Sequence, residues 1–268
     1  VGIIEQLIAG AKQGVEERRR DTPQADLESR LSGRGEDRPF NEALVRPGLS
    51  LIAEFKRRSP SVGQLAPEGA DVAARVSAYE RGGAAAASVL TDQPHFGGSL
   101  EDLREARAAC GIPIIRKDFI VDPYQLYEAA VNGADAVLLI VRVLGDAELR
   151  SLYEEARSID LDCLVEVHDG PELERALEAG VEVIGINNRN LDEGTVDVAT
   201  TYELMPDVPA GKTVVAESGI SDRSELEELE RVGVDAVLIG GALMAAEDPE
   251  AKTRELAGAD EGTREHFL

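Results

Sequence analysis

Two lysines stand where apolar runs stop. Lys117 follows the apolar start of "PIIRKDF" (113–119), and Lys56 ends "LIAEFK" (51–56). The placement is informative because the chain avoids lysine: of its 28 basic residues only Lys12, Lys56, Lys117, Lys212 and Lys252 are lysines. An ammonium group so placed can donate a proton to an oxygen that gains negative charge beside it, and can stabilise that charge. Carboxylates and amides recur at matching points. Glu54 precedes Lys56 by two residues, Glu166 lies inside the apolar "CLVEV", Asn187 and Arg189 follow "VIGI", and Glu217 and Ser218 end "TVVAES". Acid, base and orienting amide are all present, which is the set that general acid–base chemistry requires.

The elements that must carry these residues repeat one unit. Eight short runs rich in Val, Ile and Ala ("SLIAEF", "AAASVL", "PIIRKDF", "AVLLIV", "CLVEV", "VIGIN", "TVVAES" and "AVLIG") alternate with amphipathic segments such as "GSLEDLREARAAC" and "GPELERALEAG". Three helical segments end in glycine and re-enter a strand in the same way, in "GADAVLLI", "GVEVIGIN" and "GVDAVLIG". Glycine takes the left-handed helix-ending conformation at little cost. Alternating strand and helix implies parallel strands covered on both faces, and eight units point to a single (β/α)8 TIM barrel of α/β class. A G-x-G-x-x-G turn after the first strand would favour dinucleotide binding, and there is none. Residues 1–268 read as one domain, with 1–48 an N-terminal helical extension and 49–268 the barrel.

In such a barrel the site lies at the carboxyl ends of the strands. Side chains alternate along a strand, so Ile52, Glu54 and Lys56 share a side, as do Ile115 with Lys117, Leu164 with Glu166, Asn187 with Arg189, and Val215 with Glu217. A polar residue at one strand end can simply meet solvent; five strands delivering such groups to one rim point to a site. The turns "AESGIS" and "IGGAL", after strands seven and eight, hold Gly219, Gly240 and Gly241 where helix N-termini commonly cradle phosphate. Pro60, Phe96, Phe119, Leu138 and Leu191 could form an apolar wall beside it, although each could equally be core.

In order along the chain, "IAEFKRRSPS" (52–61), "VLTDQPHFGGS" (89–99), "IIRKDFIVDPYQ" (114–125), "LVEVHD" (164–169), "IGINNRNL" (184–191), "VAESGIS" (215–221) and "LIGGALM" (238–244) resemble the indole-3-glycerol phosphate synthase family of tryptophan biosynthesis. The resemblance runs from the first strand to the eighth. It implies a lyase (a decarboxylase) acting on 1-(2-carboxyphenylamino)-1-deoxyribulose 5-phosphate, with the extension lying over the barrel mouth. By the same resemblance Lys117 is the general acid and Glu166 the general base. Lys56 anchors phosphate or carboxylate, or acts as an acid in the loss of water. Glu54, Asn187, Arg189, Glu217 and Ser218 form the orienting polar shell. Ser59, Gly219, Gly240 and Gly241 match the phosphate site, and Pro60, Phe96, Phe119, Leu138 and Leu191 the walls around the anthranilate ring. One departure stands out: the family carries serine at the position of Gly241, so a hydroxyl contact to phosphate is absent here.

The formal net charge of −24 argues against a nucleic-acid partner. With the scarcity of lysine it suggests a halophilic source, since at about 1 M salt the Debye length is roughly 3 Å and surface carboxylates hardly repel. No apolar stretch approaches the roughly 18–20 residues of a membrane span, and the expectation is a soluble, cytoplasmic protein. Cys110 and Cys163 read as buried thiols, and the spacing of His95, His168 and His266 suggests no metal. No cofactor is implied. The expected partner is the phosphorylated small molecule, with other tryptophan-pathway enzymes as candidates. Three rival readings are a phosphoribosylanthranilate isomerase-like barrel, a Schiff-base aldolase and a non-catalytic degenerate barrel. The first would lack "EFKRRSPS" and "IIRKDF", the second would trap with borohydride, and the third would have lost Lys117 or Glu166.

Overall fold

The computed structural model describes residues 3–258 apart from 61, 67, 68 and 192, so Ser61 of the first motif, His266 and the end of the C-terminal tail lie outside the described residues. Eight parallel strands close on themselves: β1 (Ser50–Phe55), β2 (Ala86–Leu90), β3 (Ile114–Lys117), β4 (Ala136–Ile140), β5 (Asp162–Val167), β6 (Val183–Asn187), β7 (Thr213–Glu217) and β8 (Ala236–Ile239). Each pairs with its neighbour in sequence, and β8 returns to β1 with Ser50 opposite Ala236. The architecture is a (β/α)8 barrel.

The twofold alternation along each strand builds two apolar layers. Inside the barrel, Ile52, Ile115, Leu138, Leu164, Val215 and Leu238 form one buried cluster. The intervening residues, among them Leu51, Val89, Ile114, Leu139, Val165 and Ile184, face the surrounding helices in a second. Several helices start at a side-chain cap, such as Asp71 on Ala74 N and Asp169 on Glu172 N. Each such cap satisfies one of the amides that a helix leaves unpaired at its start.

The extension does more than approach the mouth. Its first helix, α1 (Ile3–Asp21), packs Leu7 and Ala11 against the interior cluster. Arg18 of α1 pairs with Glu128 at 2.6 Å, and Arg19 with Asp122, holding it against the segment that follows β3. The chain then descends the flank through α2 (Gln24–Arg30). Arg38 donates to the carbonyl of Ile112 and its own amide to Asp135, both at the amino ends of strands. Helix α3 (Phe40–Leu44) closes the base, with Phe40 and Leu44 fully buried in the interior cluster. Asn41 fixes this plug by taking a hydrogen bond from Thr213 and giving its amide to Asp162. One end of the extension therefore meets the mouth while the other seals the opposite end.

Candidate active site

The carboxyl ends of the strands surround a cavity of about 140 Å³ that opens to solvent on one side. Glu54, Lys56, Phe96, Lys117, Phe119, Leu138, Glu166, Asn187, Arg189, Leu191 and Ser218 all line it. Residues from seven strands or the segments that follow them thus converge on one mouth. Leu90, Asp92, Asp118 and Ile140 line it too, although nothing in the sequence pattern singled them out.

At the floor sits a cluster of alternating charge. Lys117 Nζ lies 2.5 Å from Glu217 Oε2 and 3.3 Å from Glu166 Oε2. Lys56 Nζ lies 2.6 Å from Glu54 Oε1, and Ser88 donates to the other oxygen of Glu54 at 3.4 Å. Burial works against a charged Lys117, but Glu217, Glu166 and Glu54 outweigh it and hold its pKa well above the usual lysine value. Burial pushes Glu166 up, whereas Lys117, His168 and Asn187 stabilise its anion and bring it down to about 2. Glu217 goes the other way: burial raises it to about 7, with Lys117 opposing and the Glu166 and Glu54 carboxylates adding to the rise. For Glu54, burial raises and the two ammonium groups lower, with a net fall. The cluster therefore holds a firmly protonated amine beside an ionised carboxylate.

Glycines make room for this crowding. A side chain at Gly185 would collide with Glu217 Oε1, and one at Gly240 would come within 2.6 Å of Glu54 Oε1 and 3.1 Å of Lys56 Nζ. Ser218 adopts φ 66°, a left-handed conformation rare for a residue with a side chain and typical of functional turns. Above the charges the walls are apolar, with Phe96 and Phe119 tilted at 39° and their centroids 6.5 Å apart.

Six predicted residues do not line the cavity; one of them, Glu217, is buried against Lys117. Pro60 is exposed, because the antiparallel pairing of Arg58 with Gln64 and Ser59 with Gly63 makes a hairpin that carries it outward. It is not part of the wall. Ser59 stays on that hairpin and accepts from the amide of Val62. Gly219, at φ 82°, lies in a turn, and the helix beyond it (Arg223–Arg231) starts only after Asp222. Asp222 and Glu225 form a capping box, so that helix N-terminus is already satisfied by the protein's own carboxylates. Gly240 contacts the Glu54–Lys56 pair from beneath. Gly241 opens the helix Gly241–Ala245, which has no side-chain cap, and free space surrounds the place its Cβ would take.

Sequence reasoning alone also misses His168 and Ser88. Each had a signal, since His168 is two residues beyond Glu166 and Ser88 lies opposite Glu54 in the β1–β2 register.

A closed parallel barrel with acid and base groups gathered at the strand carboxyl ends defines a (β/α)8-barrel enzyme of the acid–base type. Solved structures agree on the fold. 3-Hexulose-6-phosphate synthase from Salmonella typhimurium superimposes with a TM-score of 0.63 at 16% identity, covering 78% of this chain and 97% of that one. Thiamine phosphate pyrophosphorylase from Pyrococcus furiosus gives 0.59 at 22% identity, covering 78% and 93%. The family model described as indole-3-glycerol phosphate synthase matches residues 4–256. Proteins named indole-3-glycerol phosphate synthase are similar along their whole length. That of Nocardioides sp. is 46% identical over 97% of this chain and 100% of its own, and that of Parafrankia sp. 45% over 97% and 98%. The chain belongs to the indole-3-glycerol phosphate synthase family.

Proposed function

We propose that the chain closes the indole ring of 1-(2-carboxyphenylamino)-1-deoxyribulose 5-phosphate, with loss of carbon dioxide and water, to give indole-3-glycerol phosphate. The observation that carries the proposal is the contact of Lys117 with Glu166 at the floor of an apolar-walled cavity, in a chain of this family. The aryl ring is held between Phe96, Phe119, Leu138 and Leu191. The ring carbon that bears the carboxylate attacks the sugar ketone, and Lys117 gives its proton to the oxygen as the carbonyl bond opens. Carbon dioxide then leaves, and its bonding electron pair restores the ring.

A lysine held above its usual pKa keeps its proton until a strongly basic oxygen appears, which suits a donor to an alkoxide. In the second half the former ketone oxygen, now a hydroxyl, takes a second proton supplied from solvent and departs as water, and Glu166, ionised at neutral pH, accepts the proton released as the indole double bond forms. The 3.3 Å contact lets the two groups restore one another's protonation state between turnovers. Glu217 and Glu54 orient the ammonium groups, and Asn187 orients Glu166. Ser218 and Arg189 complete the polar side of the cavity. The Arg189 guanidinium is steadied by the carbonyl of Gly194 at 2.9 Å.

Lys56, with Ser59 and the turns of Gly219, Gly240 and Gly241, receives the phosphate. The supporting geometry is the adjacency of β7, β8 and β1, together with the placement of the Lys56 ammonium group over Gly240. Among the described residues no helix is long and apolar enough to cross a membrane. A cytoplasmic location and encounters with other tryptophan-pathway enzymes belong to this proposal. The Schiff-base alternative requires a neutral amine nucleophile, and three carboxylates oppose that state at Lys117.

The test is the appearance of indole fluorescence when the protein meets this substrate, in molar potassium chloride and in dilute buffer. Activity should fall by at least about a hundredfold in Lys117→Ala, the scale of a positioned acid. A folded protein that gives no signal in either buffer would overturn the assignment.

A further inference from the structure

His168 is a buried titratable group to which the acid–base scheme gives no task. It lies just past the end of β5 with 3% of its side chain exposed, and on the side of the strand that Glu166 occupies. Its Nε2 is 3.2 Å from Glu166 Oε1, and its Nδ1 is 2.9 Å from Glu172 Oε2. Glu172, in the first turn of the helix Gly170–Glu178, is itself fixed. Its other oxygen accepts from Arg142 Nε at 2.5 Å, and Arg142 reaches Asp169 at 3.0 Å.

The groups facing the ring are thus Glu166 from β5 and Glu172 from the helix, backed respectively by Lys117 and Arg142. A neutral imidazole carries one N–H and cannot serve carboxylates on both sides, whereas an imidazolium can. Burial disfavours the charged ring, but the two glutamates outweigh it and hold its pKa at about 9. The Nε2–H is not well aligned with Glu166 Oε1 and has no other partner among the described residues. A small rotation of either side chain directs it onto that oxygen.

Resting on the assignment of Glu166 as base, we propose that His168 is a positioning residue whose imidazolium, anchored by Glu172 and Arg142, occupies Glu166 Oε1 and keeps the carboxylate ionised. Oε2, the oxygen toward Lys117, is then the one that takes the substrate proton, and the electron pair of the broken bond stays with the substrate. The Glu166 anion is held from both sides, by the ammonium group on one oxygen and the imidazolium on the other. The charge order is Lys117, Glu166, His168, Glu172, Arg142, alternating from the floor of the cavity to the outside of the barrel.

The sign of the pH effect follows. Glu166 must be ionised to act, and removing the imidazolium raises its pKa, so a larger fraction is protonated at any acidic pH. Activity should then fail on acidification at a higher pH than in the wild type.

The test compares steady-state kcat and KM across pH for the full chain, Glu166→Gln, His168→Asn and Glu172→Gln. Glu166→Gln should be inactive. His168→Asn should lose about ten- to a hundredfold in kcat, the scale of a misplaced catalytic group, with KM within about twofold. Its acid limb should move to higher pH, and Glu172→Gln should shift the same way by less. Full turnover in Glu166→Gln would remove the base assignment itself. An inactive Glu166→Gln beside a His168→Asn variant with wild-type kcat and acid limb would overturn this proposal alone. A lower yield of folded protein, with kcat and acid limb unchanged, would overturn it equally. Should circular dichroism show that His168→Asn does not fold, Glu172→Gln carries the test with the same outcomes.

Discussion

At Gly241 the structure has room for a side chain such as serine. No atom lies within 4 Å of the position its Cβ would take, and its backbone is helical, a conformation any L residue adopts. Gly241→Ser should add a hydroxyl contact to the phosphate. A hydrogen bond to a charged group contributes about 1.5 kcal/mol or more, which corresponds to roughly a tenfold lower KM with kcat unchanged. Steady-state kinetics check this, and an unaltered KM would place the phosphate elsewhere. Gly240 behaves oppositely, since an added methyl there would press on the Glu54–Lys56 pair. The two neighbouring glycines of one motif thus have different reasons to be small, and the sequence showed them only as a pair.

The elements repeat so regularly that seams show where a local signal decides. The helix after β7 begins at Arg223, several residues beyond Gly219, because Asp222 and Glu225 hold its first amides. That capping box is legible as "DRSE", and it separates Gly219 from the helix N-terminus. The base plug was not legible. α3 is five residues long, too short for a clear helical period, and its role depends on the open amino end of the barrel above it. Phe40 is wholly buried there. Phe40→Ala should cost about 3–5 kcal/mol in urea denaturation, the usual scale for emptying an aromatic site, while KM stays unchanged because the plug lies at the end opposite the cavity. A change in KM without loss of stability would show that the plug reaches the site.

At the scale of the whole molecule the dominant feature is a formal net charge of −24. Many surface ion pairs are Arg–carboxylate contacts such as Arg157–Glu182 and Arg81–Glu250, which leave most of the acidic excess uncompensated. Raising potassium chloride from about 0.1 to about 1 M shortens the Debye length from about 10 Å to about 3 Å and removes most of that repulsion. The unfolding midpoint should rise by several degrees over this range in calorimetry. A constant or falling midpoint would show that the surface ion pairs, which salt also screens, carry more of the stability than the net charge removes. The cluster in the cavity should be less affected, since its charges are buried and screened little.

The sequence by itself determined the eight strands, their alternating faces and the residues delivered to one mouth. These follow from local rules: period two along a strand, caps and glycines at helix ends, and parallel order wherever strand and helix alternate. It also carried the family, in motifs that span the whole barrel. Only the tertiary structure decided how the charges pair. Lys56 takes the glutamate of its own strand, whereas Lys117 takes Glu217, a hundred residues away, and touches Glu166 besides. It also drew His168 into the cluster, turned Pro60 outward on its hairpin and led the extension from the mouth to the base. Each of these depends on how closure of the barrel brings distant strands to a common height, and no local pattern in the sequence encodes that distance.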